Sequence, residues 1–101
     1  MYRGTTPTFE LKINDENIDL TDADNVYVTF RTKKGKQTYT GDALEVSARE
    51  VDVFLTQEQT LAFPTGTAEV QINWTYEDGK RACTNIARIV ISENLIEEVL
   101  Q

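Results

Sequence analysis

The chain contains no histidine, and its only cysteine is Cys83. Without histidine it lacks the commonest general base, the commonest side-chain metal ligand and the partner of Ser-His and Cys-His nucleophiles. A single cysteine excludes an intrachain disulfide and is compatible with synthesis in a reducing cytoplasm. Because no histidine can activate it, we expect Cys83 to be a small apolar residue buried in a strand. These absences predict a protein that is not an enzyme.

The sequence also lacks a long apolar run and an excess of basic residues. No window approaches the roughly 18 apolar residues of a membrane span, and residues 1–7 have no signal-peptide core. Acidic residues number 17 against 10 basic ones, so the formal charge of −7 repels phosphate backbones and anionic lipid heads. Lys33, Lys34 and Lys36 surround one glycine, and we interpret them as a solvated turn without a basic face beside it. We therefore expect neither nucleic acid nor a membrane as a partner.

The length of 101 residues fits a single domain over residues 1–101. Apolar residues make up 40% of the chain, which is enough for one hydrophobic core without disulfides or metals. We find no repeat, low-complexity tract or linker that would divide the chain. The sequence therefore predicts one core.

Alternation of apolar and polar residues is the dominant pattern, and it indicates strands. It is clearest in residues 68–76, which we predict to be a central strand with Trp74 on its buried face. Residues 77–80 (EDGK) follow as a hairpin turn, because an Asp-Gly pair tolerates positive φ. The partner strand, residues 81–91, loses its alternation at residues 84–86. We expect a bulge or bend there, which would let the strand curve across the sandwich.

Further short segments have the same alternation, and one has helical signals. Thr56 followed by Gln59 forms a capping box, so we expect one helical turn that ends before Pro64. Short strands separated by turns are typical of an immunoglobulin-like antiparallel β-sandwich of about seven strands. The other predicted strands are residues 8–13, 18–20, 25–32, 37–40, 44–46 and 51–55.

The residues expected to contact a partner lie in the C-terminal segment and on two strands. Residues 93–101 have apolar side chains at helical intervals and are predicted to form an amphipathic turn that serves as a docking tail. Two tyrosines on predicted strands are expected to face outward, whereas Trp74 and Tyr76 share the buried phase of their strand. The predicted contact residues are Leu95, Ile96, Val99, Leu100, Tyr27 and Tyr39.

The acidic residues offer no convincing catalytic or metal site. Adjacent carboxylates at residues 15–16, 77–78 and 97–98 lie in predicted turns or in the tail, where acids are ordinarily solvated. Asp22, Asp24 and Asn25 suggest a loose calcium loop, but the twelve-residue EF-hand spacing is missing. We predict no catalytic residue, no metal ligand and no cofactor.

Several stretches of the chain resemble small phage and prophage proteins of Gram-positive gut bacteria that occur among tail-module proteins. They are residues 3–9 (RGTTPTF), 53–60 (VFLTQEQT), 78–80 (DGK) and the residues TNI that follow. Residues 18–23 (IDLTDA), with the strand and lysine-rich turn after them, are similar to the N-terminal domain of baseplate upper proteins. The likeness spans residues 3–91.

The resemblance implies a β-sandwich that serves as a non-enzymatic structural or adaptor protein of a tail or baseplate. Its location would be the virion, assembled in the bacterial cytoplasm, with other phage structural proteins as partners in a homo- or hetero-oligomer. Baseplate proteins of this type continue into long receptor-binding regions, whereas this sequence ends at Gln101, which favours an adaptor, decoration or assembly part. The alternative is a carbohydrate-binding module that stacks sugars on Tyr27 and Tyr39.

Overall fold

Eight strands form two antiparallel sheets in the computed structural model, which describes residues 1–101. One sheet has the order β1-β5-β4, and the other has the order β3-β2-β6, with β7 and β8 both pairing with the remaining edge of β6. The all-β sandwich predicted from the sequence is confirmed, with eight strands rather than about seven. The strands are β1 Thr8–Lys12, β2 Asn25–Thr32, β3 Gly35–Tyr39, β4 Leu44–Val46, β5 Glu50–Phe54, β6 Gly66–Thr75, β7 Arg81–Cys83 and β8 Ala87–Ile91. The helices are α1 Gln57–Leu61 and the 3-10 turns Leu20–Asp22 and Gly41–Ala43.

The core lies between the two sheets and is centred on β6. The alternation of β6 places Ala68, Val70, Ile72 and Trp74 inside, each at most 4% exposed. These residues pack against the inward side chains of β2, since the register sets Val28 opposite Ile72. Burying this face of a strand is the main force that fixes its register, because a slip of one residue would turn the face to solvent.

Phe30 joins the two sheets through an aromatic cluster. Its ring centroid lies 5.8 Å from that of Phe9 on β1, 5.7 Å from that of Tyr39 on β3 and 5.5 Å from that of Phe63 after α1. Tilted and edge-to-face rings at these distances attract each other beyond simple area burial. Phe30 is 1% exposed, so it is a principal contact between the layers.

The capping box at Thr56 is confirmed. The Thr56 hydroxyl accepts from the Gln59 amide at 3.2 Å, and the Gln59 side chain accepts from the Thr56 amide at 2.8 Å. These contacts satisfy two of the amides that a helix start leaves without partners. The resulting helix α1 also carries the buried Thr60, whose hydroxyl donates to the Thr5 carbonyl at 2.8 Å.

The prediction of a strand at residues 18–20 is wrong. The Asp19 carboxylate accepts hydrogen bonds from the backbone and side chain of Thr21, which closes a 3-10 turn instead. The same bonds lower the pKa of Asp19, because they favour its ionised form. The turn inserts Leu20 into the core at 2% exposure. Local side-chain capping therefore outweighs the alternating pattern at this point.

The bend predicted at residues 84–86 is confirmed, but the chain does not curve across the sandwich. The strands on either side of the bend, β7 and β8, both pair with β6. The bend itself is held on β6, because the Thr84 amide donates to the Ile72 carbonyl at 2.9 Å and the Thr84 hydroxyl accepts from the Ile72 amide at 3.1 Å. The expectation that Cys83 is buried is wrong. Its register opposite Asn73 turns the thiol to the outer face, where it is exposed.

Candidate functional site

The two chain ends lie side by side at one end of the sandwich. Tyr2 and Ser92 form a parallel bridge, in which the Ser92 amide donates to the Met1 carbonyl at 2.7 Å and the Arg3 amide donates to the Ser92 carbonyl at 3.1 Å. The N-terminal ammonium also donates to the Val90 carbonyl at 2.7 Å. These contacts direct the residues after β8 toward α1.

Arg3 ties the C-terminal segment to α1. Its guanidinium donates through Nη1 to the Glu97 carboxylate at 2.6 Å and through Nη2 to the Leu61 carbonyl at 2.7 Å. The Asn94 side chain donates to the Arg3 carbonyl at 3.1 Å. The Arg3 side chain is 19% exposed and the Glu97 side chain is 39% exposed, so solvent reaches this ion pair from the Glu97 side.

Gln57 holds the end of the same segment. Its side-chain nitrogen donates to the Leu100 carbonyl at 2.8 Å, and its side-chain oxygen accepts from the Leu100 amide at 2.8 Å. The side-chain carboxamide of Gln57 thus pairs with the main chain of Leu100 as a residue of a neighbouring strand would. The segment is anchored near both of its ends.

The amphipathic helical turn predicted for residues 93–101 is wrong. The segment contains two bends and no helix, and two of its backbone amides bond to side chains instead of to helical carbonyls. The Asn94 carboxamide accepts from the Ile96 amide at 3.2 Å, and Gln57 takes up the main chain of Leu100. Since these partners replace the intrahelical ones, no helix forms.

The anchored segment exposes four large apolar side chains, which we call the apolar strip: Leu95, Ile96, Val99 and Leu100. They are 95%, 54%, 44% and 58% exposed, respectively. Nothing within the domain covers these four side chains. Exposed apolar residues that adjoin one another in an anchored segment are unusual for a solvated surface. Their role as partner contacts stays a prediction.

The expectation that Tyr39 faces outward is wrong. Tyr39 pairs with Val28 in the inward phase, is 8% exposed and donates its hydroxyl to the Gln37 side chain at 2.8 Å. Burial raises the pKa of Tyr39, because the phenolate would be poorly solvated. Tyr27 does lie on the outer face of β2, half-buried beside a shallow groove of about 340 Å³ that Thr29, Thr38 and Arg81 also line. Only Tyr27 remains available to a ligand.

The outer face of the five-stranded sheet is basic, which corrects the expectation that no basic face accompanies the lysine-rich turn. Strand pairing gathers cations that are scattered in the sequence, with one carboxylate among them. Glu69 accepts from Arg31 at 2.6 Å and lies 3.9 Å from Arg88. We call this surface the basic face, and its charged residues are Arg31, Lys36, Glu69, Arg81 and Arg88.

The outer face of the three-stranded sheet is acidic. The register sets Glu10 of β1 and Glu45 of β4 on either side of Asp52. The protonated form of Glu50 makes a hydrogen bond with Asp52, and this bond, together with desolvation and the charges of Asp52 and Glu10, raises the pKa of Glu50. When both carboxyl groups are ionised, the Asp52 Oδ1 atom is buried without a hydrogen-bond partner. We call this surface the acidic face, and its charged residues are Glu10, Lys12, Glu45, Glu50 and Asp52.

The acidic residues considered in the sequence analysis do not come together in the fold. No group of three or more cysteine, aspartate or glutamate side chains is placed to hold a metal ion. Asp24 accepts only from its neighbour Asn25, at 3.4 Å, and Asp78 lies 3.8 Å from Lys80 in a turn. No helix has the length and apolar character that crossing a membrane requires.

The chain was also compared with known proteins. No family model matches it, no curated protein is similar enough to match, and no solved structure matches.

Proposed function

We propose that this chain is a non-enzymatic structural or adaptor protein that joins protein surfaces, and that it serves in the tail or baseplate of a phage or prophage. The observation that carries the proposal is the apolar strip. Leu95 is 95% exposed, while its segment is held by the Glu97 side chain on Arg3, the Asn94 side chain on the Arg3 carbonyl and the Leu100 carbonyl on Gln57. A surface that is both apolar and ordered is typical of a contact site between proteins.

The energetics of the strip favour protein binding. Full burial of one fully exposed large aliphatic side chain contributes about 1.5–3 kcal/mol. Leu95 can gain most of this on binding, and Ile96, Val99 and Leu100, which are about half exposed, can each gain about half of it. Because the anchors already order the strip, a partner loses less conformational entropy on binding it than on binding a disordered tail. The strip is thus suited to a lasting contact between protein subunits.

The tail or baseplate assignment is supported by the motifs of residues 3–9, 53–60 and 78–86 and by the predicted sandwich that they accompany. The formal charge of −7 also suits a component that works among proteins rather than on nucleic acid. A sandwich module with an ordered apolar strip fits an adaptor between tail proteins.

Incorporation into particles tests this proposal. A tagged chain would be produced in cells that carry the phage, particles would be purified on density gradients, and the copies of the chain per particle would be counted by mass spectrometry. We expect Leu95→Ser with Leu100→Ser to lower incorporation at least about tenfold, which corresponds to a loss of about 1.4 kcal/mol. Val90→Ser is the matched control, because Val90 is also an exposed apolar residue, at 65%, but lies outside the strip. Particles without the chain, or equal incorporation of the double variant, would contradict the proposal.

The carbohydrate-binding alternative rests on one observation. Tyr27 borders the groove on the outer sheet face, where Thr29, Asn73 and Arg81 offer hydrogen-bonding groups. Aromatic rings beside such groups bind sugars, but with Tyr39 buried the groove has a single ring. A glycan array decides between the two: saturable binding that Tyr27→Ala abolishes would favour this alternative, and silence across the array would leave the protein-joining function ahead.

A further inference from the structure

The two outer faces of the sandwich have opposite charge. The basic face carries four cations and one carboxylate, a formal charge of +3, and the acidic face carries four carboxylates and one cation, a formal charge of −3. The chain as a whole has a formal charge of −7, so the positive face is a local reversal of the protein's mean field. The basic face is therefore suited to bind an acidic surface.

The acidic face is electrostatically strained when the protein is alone. Glu10 and Glu45 lie directly opposite Asp52 on its two sides, and like charges in directly opposed positions destabilise a sheet. Cations brought to this face from outside would relieve the repulsion within the row.

We propose that copies of this chain associate face to back, with the basic face of one copy against the acidic face of the next. The two faces belong to different sheets and point away from each other across the core, so such a pair still exposes the acidic face of one copy and the basic face of the other. The contact is therefore heterologous and open-ended, and it builds a stack or a ring rather than a closed dimer. The inference rests on the proposed protein-joining function but uses surfaces other than the apolar strip.

The association is expected to be weak for isolated copies. Exposed ion pairs are individually modest, and the like net charge of two copies opposes their approach. The contact becomes effective when copies are held close together in a particle, because a high local concentration replaces a high affinity. Salt weakens it, since the Debye length falls from about 10 Å at 0.1 M to about 3 Å at 1 M.

Charge reversal on each face gives a direct test by sedimentation velocity of the full chain over a concentration series. We expect the wild-type sedimentation coefficient to rise with concentration in 0.1 M salt and to stay constant in 1 M salt. The exposed pair Lys36→Glu with Arg88→Glu reverses part of the basic face, and the exposed pair Glu10→Lys with Glu45→Lys reverses part of the acidic face. Each double variant alone is expected to dissociate at least about tenfold more readily, and their equimolar mixture is expected to associate again, because each variant retains one native face.

The acidic-face variant separates the inference from simple charge repulsion. It changes the formal charge from −7 to −3, since two glutamates become two lysines. If net repulsion governed association, this variant would associate more strongly than the wild type, whereas the face-to-back contact requires that it associate less. Controls with the same charge changes in exposed turns, Asp15→Lys with Glu16→Lys and Lys33→Glu with Lys80→Glu, are expected to keep associating.

Three outcomes would overturn the inference: a wild type that is monomeric at every concentration and salt, face variants that associate like the wild type, or a mixture that does not recover. A monomer that instead retards on heparin, used as a polyanion probe, would assign the basic face to an acidic polysaccharide. Association that survives both face variants but is lost in Leu95→Ser with Leu100→Ser would place self-contact on the apolar strip. That result would refute the face-to-back contact and still support the proposed protein-joining function.

Discussion

Gln57 and Leu100 are joined by two hydrogen bonds of 2.8 Å, in which the carboxamide of Gln57 both donates to and accepts from the main chain of Leu100. The two residues are 43 positions apart in the sequence. This contact holds the end of the apolar strip against α1 and keeps its side chains turned outward. The order of the strip therefore depends on a residue whose own segment is fixed by a capping box.

Gln57→Ala is expected to release the end of the strip. Each lost hydrogen bond contributes about 0.5–1.5 kcal/mol net, and solvent access puts these two at the lower end of that range. Amide exchange of residues 97–101 should accelerate markedly while exchange in β6 stays unchanged, as measured by hydrogen exchange with mass spectrometry. Glu58→Ala, on the adjacent exposed position of α1, is the control. Equal exchange in wild type and Gln57→Ala would show that the pairing does not order the strip.

Phe30→Ala is expected to be among the most damaging core substitutions. It removes the ring that contacts Phe9, Tyr39 and Phe63, and truncation of a buried Phe costs about 3–5 kcal/mol. Urea unfolding should show a large fall in midpoint. Phe54→Ala, at 43% exposure, should cost well under half as much. Similar losses for the two variants would contradict the central position of Phe30.

Thr84→Val keeps the shape of the side chain but removes the acceptor for the Ile72 amide. A backbone donor left without a partner in the sheet costs about 1–3 kcal/mol. The urea midpoint should fall accordingly, whereas Thr67→Val on the exposed side of β6 should change stability by about 0.5 kcal/mol or less. A neutral Thr84→Val would mean that the hydroxyl is not needed to hold the bend between β7 and β8.

Glu50→Gln is expected to stabilise the protein near neutral pH. The pKa of Glu50 is raised in the folded state, chiefly by its hydrogen bond with Asp52, so the folded protein binds a proton more readily than the unfolded chain does. Stability is therefore lost as the pH rises through the range above the usual Glu pKa, and a neutral side chain avoids that loss. Thermal unfolding should show a higher Tm for the variant at pH 7 and no gain below about pH 4. A gain of equal size at both pH values would assign the effect to packing instead.

The local parts of the fold follow from neighbouring residues. The alternation of residues 68–76 and the Asp78-Gly79 pair predict β6 and its hairpin, because both signals act within a few positions. Gly79 does adopt positive φ, at 87°. The helix start at Thr56 is equally local. At residues 18–20 two local signals compete, and the alternating pattern loses because the Asp19 side chain can close a turn on Thr21.

The four apolar residues of the strip could be named from their own segment, but the anchoring of that segment and the basic face depend on contacts between distant residues. Arg3 meets Glu97 across 94 positions, so this anchor has no signal in the segment itself. The inward position of Tyr39 depends on its register with Val28. The basic face likewise appears only when Arg31 and Arg81 are brought to one side of a sheet by separate strand pairings.

Site-specific photo-crosslinking from position 95 tests most directly whether the apolar strip joins this protein to another. A photoreactive benzoylphenylalanine would replace Leu95, which is 95% exposed, and the same group at Val46, which is 37% exposed on the edge strand β4, would serve as the control. The chain would be irradiated within cells that assemble the particle, and the products would be identified by mass spectrometry. We predict one dominant adduct with a tail or baseplate protein from position 95 and little from position 46. No adduct at position 95, or the same adducts from both positions, would contradict the protein-joining role of the strip.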